Sequence, residues 1–273
     1  MGADLHTHSS YSDGCLRPDQ LVEYAYYSGL SILALTDHDT VQGVPEAIQR
    51  GIELGVEVWP GIEISCTTSE GECHILGLQV DHNYDPLLQE LARWQARREE
   101  RAAQMVSRLA QLGFAIDLEQ VQYIAGNGVI GRPHIAHALV ERGYAADVAD
   151  AFRRLIGRGC PGYVPRTEIS PEHAIALIRS AGGIAVWAHP GADFSPTRLK
   201  QLQAAGLMGV EVWHPDHTPE QMLWIADQAA RAGLLVTGGS DFHCADGERA
   251  RLGCYSTPVW SVAAISAAKQ QMA

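Results

Sequence analysis

The chain contains no apolar run near the ~18 residues that a membrane-spanning helix needs, which argues against a helical membrane protein. Positive charge is also scarce, with 20 Lys and Arg against 32 Asp and Glu and a formal net charge of -12. That balance argues against binding to long duplex DNA, which takes many phosphate contacts. A small anionic substrate remains compatible, because bound divalent cations or clustered arginines invert the local charge. The six cysteines, Cys15, Cys66, Cys73, Cys160, Cys244 and Cys254, include no C-x-x-C pair and no zinc-ribbon spacing. Free thiols in a reducing compartment are therefore expected, with Cys66 or Cys73 near enough in sequence to Glu63 and His74 to line a site. No G-x-S-x-G elbow occurs, so a Ser-His-Asp hydrolase has little support. Long repeats and low-complexity tracts are absent. His6 is already a candidate ligand, so no signal peptide is expected before the fold, and a cytoplasmic location follows.

The 273 residues suffice for one barrel or for a barrel with an insertion. In the first 80 residues short apolar runs alternate with helical patterns. Pro18–Ser28 opens on proline and stops at Gly29, and Val44–Leu54 is closed by Gly55. The alternation resumes near residue 162. There helix Pro171–Ser180 follows a Ser170 cap, and strand Ile184–Ala188 comes next. A helix near Pro196–Ala205 then leads to strand Val210–Trp213, and helix Pro219–Arg231 to strand Leu234–Thr237. Such alternation implies a parallel sheet. The segments 1–83 and 161–273 are thus read as two parts of one α/β barrel.

Residues 84–160 break the pattern and are read as an all-helical insertion over the barrel mouth. A long helix over Pro86–Leu112 precedes shorter ones at Leu118–Ile124, Pro133–Glu141 and Val148–Ile156. On the long helix Leu87, Leu91, Trp94, Ala102, Met105, Leu109 and Leu112 form one stripe at ~100° per residue. Arg93, Arg97, Arg101 and Arg108 cluster on one flank, where Arg93, Arg97 and Arg108 read as a solvated face paired with Glu90, Glu99 and Glu100. Arg98 falls inside the stripe, where an unpaired guanidinium is costly. It needs an anionic partner, either a protein carboxylate or a substrate phosphate.

Nine metal-ligand side chains accompany the apolar runs. His6 and His8 follow Ala3-Asp4-Leu5, with Asp13 close behind. His38 follows Ile32–Leu35, Glu63 follows Trp59–Ile62, and His74 opens His74–Leu78. His189 ends Ile184–Ala188, and Asp241 and His243 end Leu234–Gly239. One H-x-H is a weak signal, but strands that all carry imidazole or carboxylate point to a metal cluster at the C-terminal rim of a parallel barrel. The mixed donors suit manganese, zinc or iron better than calcium or magnesium.

His6-x-His8 with Ser12-Asp13-Gly14, Thr36-Asp37-His38-Asp39, Pro60-Gly61-x-Glu63, Ala188-His189-Pro190 and Ser240-Asp241-x-His243 resemble, in order, the motifs of the polymerase and histidinol phosphatase (PHP) family of the amidohydrolase superfamily. The resemblance implies an irregular seven-stranded β/α barrel with two or three divalent ions, often manganese, zinc or iron, that cleaves phosphoesters. It also implies three metal groups. His6, His8, Glu63 and Asp241 surround the first; Glu63 bridges to a second with His74 and His189; Asp13, His38 and His243 hold the third. A metal-bound hydroxide is then the nucleophile, with Asp241 and His38 beside it. His214 is a candidate acid for the leaving group or, equally, a hydrogen-bonding support. Asp37 and Asp39 are expected to orient imidazoles. His217, His82 and His173 are expected at the surface, and His137 in insertion packing.

Gly126-Asn127-Gly128 and Gly131-Arg132-Pro133-His134 leave backbone free to approach an anion at a helix start, or form a plain helix-connecting turn. This segment resembles the PHP subgroup acting on nucleoside 3′,5′-bisphosphates. That implies that Arg98, Arg101, Arg132 and His134 grip the 5′-phosphate while metals attack the 3′-phosphate, and that short RNA is a second substrate. A histidinol-phosphate phosphatase is a rival, disfavoured because that substrate has one phosphate. A nucleotide-binding regulatory protein is disfavoured because all nine ligand positions are filled. No obligate protein partner is evident.

Overall fold

The computed structural model describes residues 2–68, 71–126, 128–165, 169–244 and 251–272, so Asn127 of the glycine-rich turn lies outside the described residues. Seven strands run in chain order across one sheet: β1 (Gly2–Thr7), β2 (Leu30–Leu35), β3 (Glu57–Thr68), β4 (Gly71–Leu78), β5 (Ile184–Trp187), β6 (Gly209–Trp213) and β7 (Leu235–Gly238). The edges meet where the chain leaves β7. Asp241 N donates to His6 O at 2.9 Å, and His8 N donates to Phe242 O at 3.0 Å. This closes the sheet into an irregular barrel.

The strands are not all parallel, as the alternation had implied. β4 runs antiparallel to both β3 and β5. β3 has 12 residues and returns directly through a hairpin, with Thr68 opposite Gly71. A strand entering from that end begins at the rim where its neighbours finish. His74, the fourth residue of β4, therefore reaches the same rim as the other candidates.

Helices α1 (Pro18–Tyr27) and α2 (Val44–Leu54) join the first strands, and α7 (Pro171–Ser180), α8 (Pro196–Ala204) and α9 (Pro219–Ala232) the later ones. Their apolar faces pack on the sheet through Leu21, Val22, Ala47, Ile175, Leu199 and Ile225. A second cluster joins Ala3, Leu5, Leu76, Leu78, Ile184 and Val186 to Ile265 of the C-terminal helix α10 (Val259–Met272), which the sequence reading did not anticipate.

The helical part comprises α3 (Asp85–Gln111), α4 (Leu118–Ala125), α5 (Arg132–Glu141) and α6 (Val148–Ala151), the last running into a π-helical turn at Phe152–Ile156. Met105, Leu109, Val121, Ile135, Leu139 and Leu155 make its own core. The first half of α3 belongs to the barrel instead, through Leu87, Leu91 and Trp94. The buried stripe ends at Leu109; Leu112, past the last helical turn, is exposed. Gln95 Nε2 donates to Asp39 O at 3.3 Å and Val129 N to Tyr11 O at 2.9 Å, which ties α3 and the segment after α4 to the loops that follow β2 and β1. Among the described residues no helix is long and apolar enough to cross a membrane.

Free thiols were expected throughout, but Cys15 and Cys244 form a disulfide with Cα atoms 5.2 Å apart. The pair escaped the sequence reading because 229 residues separate two loops that meet only when the barrel closes. Cys66, Cys73, Cys160 and Cys254 keep their thiols.

Candidate metal centre

Glu63 is the hub of the rim. Its Oε2 lies 3.3 Å from His6 Nε2, 3.3 Å from His8 Nε2 and 3.1 Å from His38 Nδ1. Its Oε1 lies 2.8 Å from His74 Nδ1 and 3.0 Å from His189 Nε2. One buried carboxylate thus turns an oxygen to each of two imidazole sets. Asp241 closes the first set, with Oδ1 3.4 Å from His6 Nε2 and 3.1 Å from His8 Nε2. Asp13 Oδ1 stands 3.3 Å from His243 Nε2, and its Oδ2 stands 3.9 Å from His38 Nε2.

All nine sequence candidates come together. His6, His8, Glu63 and Asp241 form one group able to hold a cation, and His8, Asp13, His38 and His243 another. His38 also groups with Glu63 and His74, so its ring faces two of the groups rather than one.

The donor set fits a metal on structural grounds. His6 Nε2, His8 Nε2, Asp13 Oδ1 and Glu63 Oε2 are buried without a hydrogen-bond partner among the described residues, and each belongs to one of the two groups able to hold a cation, His8 to both. Buried polar atoms are seldom left in that condition unless an ion or water satisfies them. Burial pulls the His8 pKa down, but Asp241 and Glu63 outweigh it and raise it to about 10. Burial likewise opposes a proton on His6, while Glu211, Glu63 and Asp241 raise its pKa well above the usual range. In the opposite sense, burial takes His38 down to about 3 despite Glu63 and Asp13.

A sign follows from these shifts. Without metal, His6 and His8 carry protons at pH 7, and a divalent ion that takes their nitrogens expels those protons. Metal affinity is therefore expected to rise with pH. Calorimetric titration in buffers of different ionisation enthalpy reads the release directly, and a heat independent of buffer contradicts it.

Backbone strain concentrates here. Among the described residues the non-glycine residues with positive φ are Asp39 (52°), Gln79 (54°), His189 (25°) and Asp241 (49°), and three of these four are rim residues. Such conformations are costly and persist where surrounding structure enforces them. Gly239 serves the same packing, since a Cβ there would run into His6.

Sequence reasoning missed the supports. Glu211, fully buried in β6, accepts from His6 Nδ1 at 3.1 Å and from His189 N at 2.8 Å. It thereby fixes the His6 ring so that Nε2 faces Glu63 and Asp241. A lone carboxylate inside Val210-Glu211-Val212 was the available signal. Glu211→Gln is expected to lower metal affinity and activity by about 10–100-fold, measured by metal titration and turnover. Asp4 is also buried; its carboxylate accepts from Ser240 N and Gly253 N, both at 2.9 Å, and pins the segment after β7 against β1.

Asp37 accepts from Ser9 N, Ser9 Oγ and Ser12 Oγ, and so holds the turn behind His8 rather than an imidazole directly. Asp39, expected to orient an imidazole, accepts from Arg98 and from Ser65 N. His214 is buried, takes a hydrogen bond from Asp216 N on Nδ1, and points Nε2 at Asp241 Oδ2, 3.5 Å away. His217 was expected at the surface but is buried. Its Nδ1 donates to Val212 O at 2.8 Å and its Nε2 accepts from Gly191 N at 3.0 Å, which anchors the turn after His189. His137, assigned to packing, is exposed, as is His173.

Beside the rim a cavity of about 130 Å³ runs from Asp13, His38 and His74 to Arg98, Arg101 and Arg132. The three arginines are not equivalent. Arg98 is spent on the buried Asp39, with Nε 2.8 Å from the carboxylate, so the protein-carboxylate alternative holds. Arg132 sets Nη2 3.0 Å from both oxygens of Glu72, with its guanidinium 5.4 Å from the Phe152 ring. Arg101 donates Nε to Val164 O at 2.8 Å, yet its Nη2 is buried without a partner among the described residues. Burial and the neighbouring Arg132 depress its pKa. His134 stands apart from this cavity: its Nδ1 accepts from Gly131 N at 3.0 Å, and it lines a separate cavity next door.

Comparison with known proteins agrees with this geometry. The PHP domain model matches residues 4–158. The chain is 38% identical over 254 residues to the 3′,5′-nucleoside bisphosphate phosphatase of Chromobacterium violaceum, covering 91% of this chain and 89% of that protein. It is also 38% identical over 248 residues to the 5′-3′ exoribonuclease Rnm of Escherichia coli K12, covering 88% and 84%. A crystal structure of a metal-dependent phosphoesterase from Bifidobacterium adolescentis superposes with a TM-score of 0.91 at 36% identity, covering 98% of this chain and 96% of that one. With most of the sequence matched at such identity, and the rim built as described, the chain belongs to the PHP domain family.

Proposed function

We propose that this protein is a metal-dependent phosphatase that removes the 3′-phosphate of nucleoside 3′,5′-bisphosphates, giving the 5′-monophosphate and inorganic phosphate. The observation that carries the reading is the pairing of two sites. One cavity is lined both by Asp13, His38 and His74 of the carboxylate-imidazole cluster and by Arg101, which has a buried nitrogen without a partner among the described residues. A substrate with two phosphates one ribose apart suits that layout, whereas histidinol phosphate leaves the arginine end unused. The phosphatase among the relatives supports the choice.

In this reading His6, His8, Glu63 and Asp241 hold one ion, Glu63, His74 and His189 a second, and Asp13, His38 and His243 a third. Manganese is the expected ion, the imidazole-carboxylate mixture serving zinc or iron as well. Bound there, the ions supply Lewis acidity and lower the pKa of a water to make the nucleophile. The protein's own groups do the rest. Glu63, pushed well below the usual carboxylate range by His38, His6 and His74 against its burial, stays ionised and keeps the cluster together. Arg101 and Arg132 hold the 5′-phosphate and so orient the scissile group without touching it. Because Nδ1 of His214 accepts from Asp216 N, a proton that this ring passes to the leaving oxygen must leave from Nε2, which faces Asp241.

A second reading is 5′-to-3′ exoribonuclease activity on short RNA. It is favoured by the relatives of that name and by chemistry: a 5′-phosphorylated RNA presents the same two phosphates one nucleotide apart. A phosphoester panel with manganese-loaded enzyme separates the readings. Phosphate release from nucleoside 3′,5′-bisphosphates should exceed that from histidinol phosphate and nucleoside 3′-monophosphates, and short RNA should compete. Preference for a single-phosphate substrate sinks the proposal.

A further inference from the structure

The Cys15–Cys244 disulfide lies where two ligand-bearing segments meet. Cys15 follows Asp13 by two residues, and Cys244 directly follows His243. These segments come from opposite ends of the chain, yet Asp13 Oδ1 and His243 Nε2 stand 3.3 Å apart. The backbone bond from Cys15 N to His243 O, at 2.9 Å, also joins them. Cys15 is exposed and Cys244 partly so. Both line the cavity of about 600 Å³ that also holds Tyr11, His137 and Glu141. Structural disulfides usually resist exchange, whereas an exposed one is open to attack by a thiolate.

We propose that Cys15–Cys244 is a reversible thiol–disulfide site that sets how firmly the Asp13–His38–His243 group retains its ion. The co-reactant is a dithiol. One of its thiolates attacks a cysteine sulfur, the S–S bond breaks, and a mixed disulfide forms. Its second thiolate then displaces the protein sulfur. The protein gains two electrons and two protons as two thiols, and the dithiol departs as a disulfide. A covalent link raises the effective concentration of one ligand at the other, so opening it weakens their joint hold on a cation. The effect centres on that group, because Glu63 sits within β3 and His6 within β1, and Asp241, on the same segment as Cys244, is held to β1 by its own backbone bond to His6 O at 2.9 Å.

The inference rests on the metal reading above, and its test keeps the two separable. Manganese-loaded protein, oxidised in air or reduced with a phosphine, is mixed with a chelator while manganese release is followed. In denaturant the oxidised form should expose four thiols and the reduced form six. One ion per chain should leave the reduced form about tenfold faster or more, the remainder unchanged. A Cys15→Ser/Cys244→Ser variant should release like the reduced form and ignore the phosphine. Equal release from both forms, or six thiols after oxidation, overturns the inference while leaving the metal reading intact. Protein that holds manganese in neither form overturns both.

Discussion

Glu63→Gln is expected to reduce phosphatase activity by about 10³-fold or more and to strip metal from the protein. Glutamine keeps the size of the side chain and one acceptor oxygen but removes the charge that faces five imidazoles. Metal Lewis acidity and water activation contribute several kcal/mol to such a reaction, and each ~1.4 kcal/mol is a factor of ten, which sets the scale. The loss should fall on turnover and on metal content together, because the same oxygens serve both groups. Metal analysis beside steady-state kinetics checks it. A variant with full metal content and more than about a tenth of the activity would show that Glu63 only packs.

The second large effect is selective. Arg101→Ala should raise KM for a nucleoside 3′,5′-bisphosphate by about 10–100-fold, the worth of a charge-assisted hydrogen bond or two. Turnover of p-nitrophenyl phosphate, which has nothing to place at the arginine end, should hold. Arg132→Ala should act in the same direction. Arg98→Ala should behave differently, because it takes the guanidinium from a fully buried Asp39. Breaking a buried pair costs about 3–5 kcal/mol of stability, so that variant should show a lowered Tm before any selective kinetic change. Equal losses on both substrates for Arg101→Ala remove the arginine end from the account.

These contrasts mark where the sequence was legible. The ligands could be read because each stands at the end of an apolar strand pattern, and barrel closure brings such ends to one rim. Even His74 was found, although the antiparallel β4 that carries it was not, since imidazole beside a strand is visible whichever way the strand runs. What stayed hidden depends on partners far away in sequence. Glu211 looks like one acidic residue in a strand until His6, 205 residues away, is seen to bond it. His217 resembles a loop histidine until Val212 O and Gly191 N take both its nitrogens. The four arginine and histidine side chains proposed to hold phosphate share a helical region, and only their individual neighbours set Arg101 apart from Arg98 and His134. The disulfide was misjudged for the same reason.

The account stands on ions gathered around Glu63. Crystals grown with manganese and measured at its absorption edge test this most directly. The expected map has one anomalous peak between Glu63, His6, His8 and Asp241, and another between Glu63, His74 and His189. A metal-replete crystal with no peak in contact with either Glu63 oxygen contradicts the account.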